Sequence, residues 1–193
     1  MAATASFQVE APSTGVWKID PAHNNVGFVA RHLMVSKVRG RFTDVDGEIR
    51  IGETPEDSSV EVRIGASSID SGNADRDAHL RSADFLDVEN HPYLTFKSTK
   101  VEVAGDTSLK VRGDLTIRGV TKPVVLDVEY DGVTNVPQMG TRAGFSAATE
   151  IDREQWGLTW NMALETGGVL VGKKVGIEID VELIHEQTDA AAA

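Results

Sequence analysis

Apolar and polar residues alternate with a period of two along much of this chain, and that habit excludes most folds. Leu109, Val111, Gly113, Leu115 and Ile117 are interleaved with Lys110, Arg112, Asp114, Thr116 and Arg118. Val124, Leu126, Val128 and Tyr130 follow the same rule against Asp127, Glu129 and Asp131. So do Val175, Ile177, Ile179, Val181 and Leu183 against Gly176, Glu178, Asp180 and Glu182, and Val60, Val62 and Ile64 against Ser59, Glu61 and Arg63. A strand turns successive side chains to opposite faces, so each stretch has one dry face and one wet one. Antiparallel sheets permit this; parallel sheets, covered on both faces, rarely do.

Further strands are predicted over 16–19, 25–31, 38–51, 93–104 and 141–151, about eight or nine altogether, punctuated by turn residues at Gly65, Gly105, Gly119, Gly132 and Gly167-Gly168. Residues 73–83 break the period: Asn73 is an N-cap, acids fill the first turn, and Asp77 stands four residues before Arg81, which predicts a short helix. A second helical turn is expected within 153–165, and flexible termini over 1–15 and 186–193. Sheets with one dry face must close or stack, because open edges invite aggregation. The fold class expected is all-β, a closed antiparallel barrel of about eight strands forming one domain. Its inward list mixes Phe28, Phe42, Phe96 and Phe145 with Ala30, Gly40, Gly113, Ala143 and Ala147. Those small residues either leave room for a ligand or accommodate the facing rings, and periodicity does not choose between the two.

Composition narrows the function classes. With 19 Lys and Arg against 30 Asp and Glu, the formal net charge is −11, which argues against nucleic acid and against a general attraction to anionic membranes. The absence of cysteine excludes disulfides, thiolate metal sites and a cysteine nucleophile. No apolar run approaches the roughly 18 residues of a membrane span, and the first ten residues lack the pattern of a secretory signal, so a cytoplasmic location and no stable membrane insertion are expected.

Four segments go beyond pattern. They are His23-Asn-Asn-Val-Gly-Phe-Val-Ala-Arg-His-Leu-Met-Val-Ser-Lys-Val-Arg-Gly-Arg-Phe42; Asn73-Ala-Asp-Arg-Asp-Ala-His-Leu-Arg-Ser-Ala-Asp-Phe85, running on to His91-Pro-Tyr-Leu-Thr-Phe96; Gly113-Asp-Leu-Thr-Ile-Arg-Gly-Val-Thr-Lys-Pro-Val124; and Gly144-Phe-Ser-Ala-Ala-Thr-Glu-Ile-Asp-Arg-Glu-Gln-Trp-Gly-Leu-Thr-Trp160. In this order and spacing they closely resemble the YceI-like family over roughly residues 16–185. The resemblance implies a lipocalin-like barrel whose elongated apolar interior holds an isoprenoid or fatty-chain amphiphile.

No phosphate-binding glycine loop, HExxH or GxSxG motif occurs, and His23, His32, His79, His91 and His185 are scattered without metal-ligand spacing. The expectation is therefore a binding protein without cofactor or metal, whose partner is a lipid-like small molecule, with a homodimer as a further expectation. An enzyme acting on a lipid in the same cavity is the alternative, and it would need an inward-facing acid–base pair. Phe28, Phe42, Phe96, Phe145, Trp160 and Ile177 are expected to line the tunnel. Leu33, Met34, Phe85 and Trp156 are expected to control its opening. Residues 31–41 carry Arg31, Lys37, Arg39 and Arg41 and no acid in a strongly acidic chain, a local reversal suited to an anionic headgroup; Arg39, Arg76 and Arg81 are the headgroup candidates. The competing reading places Arg39 and Arg41 on the outer face, alternating with Gly40 and Phe42.

Overall fold

The computed structural model describes residues 10–165 and 167–186. Its strands are β1 (Gly15–His32), β2 (Ser36–Phe42), β3 (Val45–Ile51), β4 (Ser59–Gly65), β5 (Ile69–Asp70), β6 (Tyr93–Val103), β7 (Ser108–Ile117), β8 (Val120–Val136), β9 (Gly140–Asp152) and β10 (Val171–His185), with helix α1 (Ala74–Arg81) between β5 and β6. Around the barrel the order is β1-β3-β4-β6-β7-β8-β9-β10, and β10 pairs back onto β1, so eight antiparallel strands close on themselves. β2 extends the outer half of β1, and the two-residue β5 pairs with β2 at Arg41 and Phe42.

The closure depends on one long strand. The first part of β1 pairs with β3 and its second part with β2, while β10 runs along the other edge from Trp17–His185 to His32–Val171. The expected strands 16–19 and 25–31 are therefore one strand, with a register shift between Ile19 and Asn24. There the Asp20 carboxylate accepts the Ala22 N–H (2.8 Å) and the Asp20 carbonyl accepts from Asn24 Nδ2 (2.8 Å), which satisfies the bulged backbone. The expected strand 38–51 is in turn broken at Thr43 and Asp44. The chain switches neighbours there: the Thr43 N–H goes to Ser68 and the Asp44 carbonyl accepts the Gly65 N–H.

The helix expected at 73–83 is α1, its first turn capped by the Asn73 side chain, which accepts the Arg76 N–H at 2.9 Å. The expected Asp77–Arg81 pair is replaced by other partners. Asp77 is buried against Ser71, and Arg81 donates to the Ser67 and Ile69 carbonyls, so both tie the helix to the segment before it. Between 153 and 165 the helical expectation shrinks to a single 3-10 turn, Arg153–Trp156, stopped by Gly157 at φ 77°. The expected flexible termini fall largely outside the described residues. The described part of the first, residues 10–15, is tied to the barrel instead: the Glu10 carbonyl accepts from the Tyr130 hydroxyl (2.6 Å), the Ser13 carbonyl accepts from the Trp17 indole (3.0 Å), and Gly15 opens β1.

Candidate functional site

The inward faces of the eight strands surround a cavity of about 510 Å3, bordered almost entirely by apolar side chains. A liquid water occupies about 30 Å3, and close-packed interiors hold few voids larger than one water. This space is instead of the size of a small-molecule site, about 300–1,000 Å3. Its lining reaches both ends of the barrel. Pro12, Thr14, Glu53 and Thr54 lie at the end where β1 begins; Ala30, Phe85, Arg153 and Val171 lie at the end where it finishes.

The alternating strands place the expected residues unequally. Phe28, Phe42, Phe85, Phe96, Phe145 and Ile177 all border the cavity. Phe28 and Phe42 face each other with ring centroids 6.2 Å apart, and Phe145 packs on Tyr130 at 5.1 Å. Trp156, Trp160, Leu33 and Met34 are not in the lining. Trp156 is buried behind the wall, its indole donating to the Leu115 carbonyl at 3.0 Å. Trp160 stands edge-on to His79 (4.6 Å) and against Phe85 (5.4 Å), so it supports a lining residue from outside; His79 in turn bonds Asp84 at 2.8 Å. Leu33 and Met34 are exposed at the β1–β2 turn.

The two roles weighed for the small inward residues are both present. At Gly40 an added Cβ would lie 2.6 Å from a Phe28 ring carbon, and at Gly113 2.6 Å from the Lys97 carbonyl oxygen with the Phe96 ring equally close, so these glycines make room for rings. Ala30 and Ala147 border open cavity.

The headgroup candidates do not approach this space. Arg39 is exposed on the outer face of β2. Arg76 donates to the Ser71 hydroxyl and carbonyl, both at 2.8 Å, and Arg81 is spent on two carbonyls. Among the described residues, the cation that borders the cavity is Arg153, which is 4 % exposed. It donates to the carbonyls of Gly172 (3.0 Å), Leu158 and Val171 (3.3 Å), and its guanidinium lies 6.0 Å from the Phe85 ring centroid. Burial pushes its pKa down, against the pull of Glu154 and Asp152, yet those two acids are occupied elsewhere: Glu154 pairs with Lys173, and the Asp152 carboxylate caps the Glu154 N–H. Three of its five N–H groups are thus accounted for by main-chain carbonyls. In the sequence Arg153 is one charge in Asp152-Arg-Glu154, and nothing in that run distinguishes an inward guanidinium from a solvated one.

Tyr130 borders the cavity, and burial pushes its phenol up to about 12, so it stays protonated at neutral pH. Asp20, His23 and Glu182 bring ligand atoms within 4.8 Å of one another. Arg142 already bridges them, its Nη1 bonding the Asp20 carboxylate and Glu182 (2.6 Å), so this is an ion-pair cluster with its own cation in place.

With this geometry in view, the similarities are specific. The family model for the YceI-like domain matches residues 17–183. A UPF0312 protein of Vibrio cholerae is 41% identical over 138 residues, 71% of this chain and 73% of that protein. One from Staphylococcus epidermidis is 39% identical over 169 residues, 86% of this chain and 95% of its own length. Among solved structures, the Campylobacter jejuni YCEI protein superposes with a TM-score of 0.70 at 30% identity, covering 81% of this chain and 90% of that one. A polyisoprenoid binding domain from Saccharophagus degradans gives 0.68 at 13% identity, covering 90% and 100%, a likeness of fold. From the strand order to the family match over most of its length, this chain belongs to the YceI-like family.

Proposed function

We propose that the barrel binds one long-chain amphiphile, isoprenoid or fatty, with its chain in the cavity and its polar end toward Arg153. The observation that carries this reading is the apolar cavity itself, which is far larger than packing defects and whose lining includes residues from both ends of the barrel. Burying chain carbons at roughly 0.8 kcal/mol per CH2 makes chain length the main source of affinity. The N–H groups of Arg153 not used by carbonyls then favour an acceptor, above all an anion, at that end. The fold of the Saccharophagus degradans domain, whose name records polyisoprenoid binding, is consistent with this ligand class.

Binding is favoured over catalysis by the placement of ionisable groups. The lining includes Glu53 and Arg153, which belong to opposite ends of β1, and a protonated Tyr130. That set offers no acid–base pair converging on one point.

Native mass spectrometry of protein purified from its own host is the test. The expected result is a bound lipid with an acidic or strongly accepting head, lost on organic extraction. A bare polypeptide mass, together with no uptake of fatty carboxylates or prenyl phosphates added in solution, would overturn the reading.

A further inference from the structure

The turn between β1 and β2 is built against ordinary chemistry. Leu33 and Met34 both adopt left-handed backbone, φ 52° and 62°, with the Val35 N–H closing onto the His32 carbonyl at 3.1 Å. Such positions are normally filled by Gly, Asn or Asp, and an ordinary side chain there carries strain. The residues spending that strain are large, apolar and in water: Leu33, Met34 and Val35 are 40%, 56% and 79% exposed. A second strip lies alongside, because the Leu33 N–H bonds the Leu170 carbonyl (2.8 Å) and the Leu170 N–H the Met162 carbonyl (3.0 Å), with Met162 itself 54% exposed. These are four of the six large hydrophobic side chains that stand exposed among the described residues.

The charged residues of the ribbon behind this tip are all cationic. Among the described residues, ten of the 19 Lys and Arg side chains reach a carboxylate. Arg31, Lys37, Arg39 and Arg41 reach none; all four are exposed, and the register sets Arg31 opposite Lys37 and places Arg39 and Arg41 farther along the same ribbon. Residues 21–43 contain no Asp or Glu at all. Two acids lie near this ribbon, Glu165 on the neighbouring loop and Asp70, which the β2–β5 register sets opposite Arg41 without an ion pair between them, and two acids do not cancel four cations. An apolar point followed by unpaired cations is the layout that a bilayer with anionic headgroups complements: the point enters the interface while the cations remain at headgroup level.

We infer that the β1–β2 tip docks this barrel onto anionic lipid surfaces, with Leu33, Met34 and Val35 entering the interface and Arg31, Lys37, Arg39 and Arg41 contacting the headgroups. The net charge of −11 would repel such a surface elsewhere, so it also sets the orientation. The docked end is the one bordered by Ala30, Arg153 and Val171, which brings the cavity's cationic end to the lipid.

The test is co-sedimentation with vesicles of phosphatidylcholine mixed with phosphatidylglycerol, against phosphatidylcholine alone. The full chain should partition onto the mixed vesicles about tenfold or more in preference, and the preference should shrink as salt is raised. The double substitution Leu33→Asn and Met34→Asn suits left-handed backbone and so spares the fold, but it should lower partitioning about tenfold or more. Replacing Lys37, Arg39 and Arg41 by Gln should lower it by about fivefold per cation. Docking and cavity binding are separable: Ala147→Phe, which narrows the cavity, should dock like the parent. Equal partitioning of the parent and the Asn variant would overturn the inference. So would no preference for the mixed vesicles, or a concentration-dependent dimer that the Asn variant dissolves while neither protein binds vesicles.

Discussion

Arg153 holds three carbonyls from two segments, Leu158 in the loop after its own turn and Val171 and Gly172 at the start of β10. Replacing it by Met leaves those acceptors unpaired in a buried place, so Arg153→Met should cost about 3 kcal/mol in urea unfolding, with Arg153→Lys costing less. If the guanidinium also receives the ligand's head, the Lys form should keep a preference for a fatty carboxylate over the matching alcohol, and the Met form should lose it. Asp20 is a second case where one residue decides a property. Its burial would raise its pKa, but the Ala22 N–H, the His23 ring and the Arg142 guanidinium outweigh that and hold it down to about 2, against an ordinary 3.8. A carboxyl depressed in the folded state stabilises above its unfolded pKa, and that stability is lost as the pH falls through the folded value. The parent should therefore lose about 1–2 kcal/mol from this group between pH 4 and pH 2, after allowance for solvent screening. Asp20→Asn should be less stable at pH 7 and show a shallower acid loss; urea titrations of both proteins across that window check it.

At the scale of the element, the strand faces separate packing from space. β7 carries Gly113 against the Phe96 ring of β6, and the Lys97 carbonyl lies within 2.6 Å of where a Cβ would stand. Gly113→Ala should therefore destabilise the barrel by about 1–3 kcal/mol through overpacking. Ala147 on β9 faces the cavity, so Ala147→Phe should leave the melting temperature nearly unchanged while rejecting the longest chains that the parent accepts. Opposite results, with Ala147→Phe unfolding and Gly113→Ala neutral, would mean that the interior is filled where the cavity is drawn. α1 shows the same economy: its two arginines join it to residues 67–71, and Leu80 is the helix residue that reaches the cavity.

The whole molecule is held by a pairing between its ends, β1 with β10, from Trp17–His185 to His32–Val171. Contacts so distant in sequence make folding slow, in the millisecond-to-second range of barrels, and the closed ring leaves no partly folded sheet that keeps the cavity. A ligand that fits the cavity therefore binds the folded barrel and not the unfolded chain. At a free concentration of about 100 Kd it should add roughly 2.7 kcal/mol and raise the melting temperature by about 5–10 °C. Calorimetry with fatty carboxylates of increasing length should show the shift growing with the chain; a shift independent of length would place the ligand outside the apolar cavity.

The class of fold was legible in the sequence because period-two alternation is local: each strand announces its dry face residue by residue, and closure follows from having many such faces and few helices. Phe28, Phe42, Phe96, Phe145 and Ile177 could be assigned to the interior on that ground alone. The alternation could not tell ring-accommodating Gly113 from cavity-facing Ala147, since both look inward and the difference lies in which side chain the neighbouring strand presents. Nor could it find the inward cation. Arg153 occupies a polar run, and only the folding of β10 beside the Arg153–Trp156 turn brings three carbonyls around its guanidinium and makes burial of the charge affordable. Trp160 was misplaced for the same reason: local spacing marks it as apolar, but its side of the wall is set by His79 and Phe85, residues more than seventy positions away. Local periodicity determined the strands and their faces, and long-range register decided where the space, the charge and the exposed tip would be.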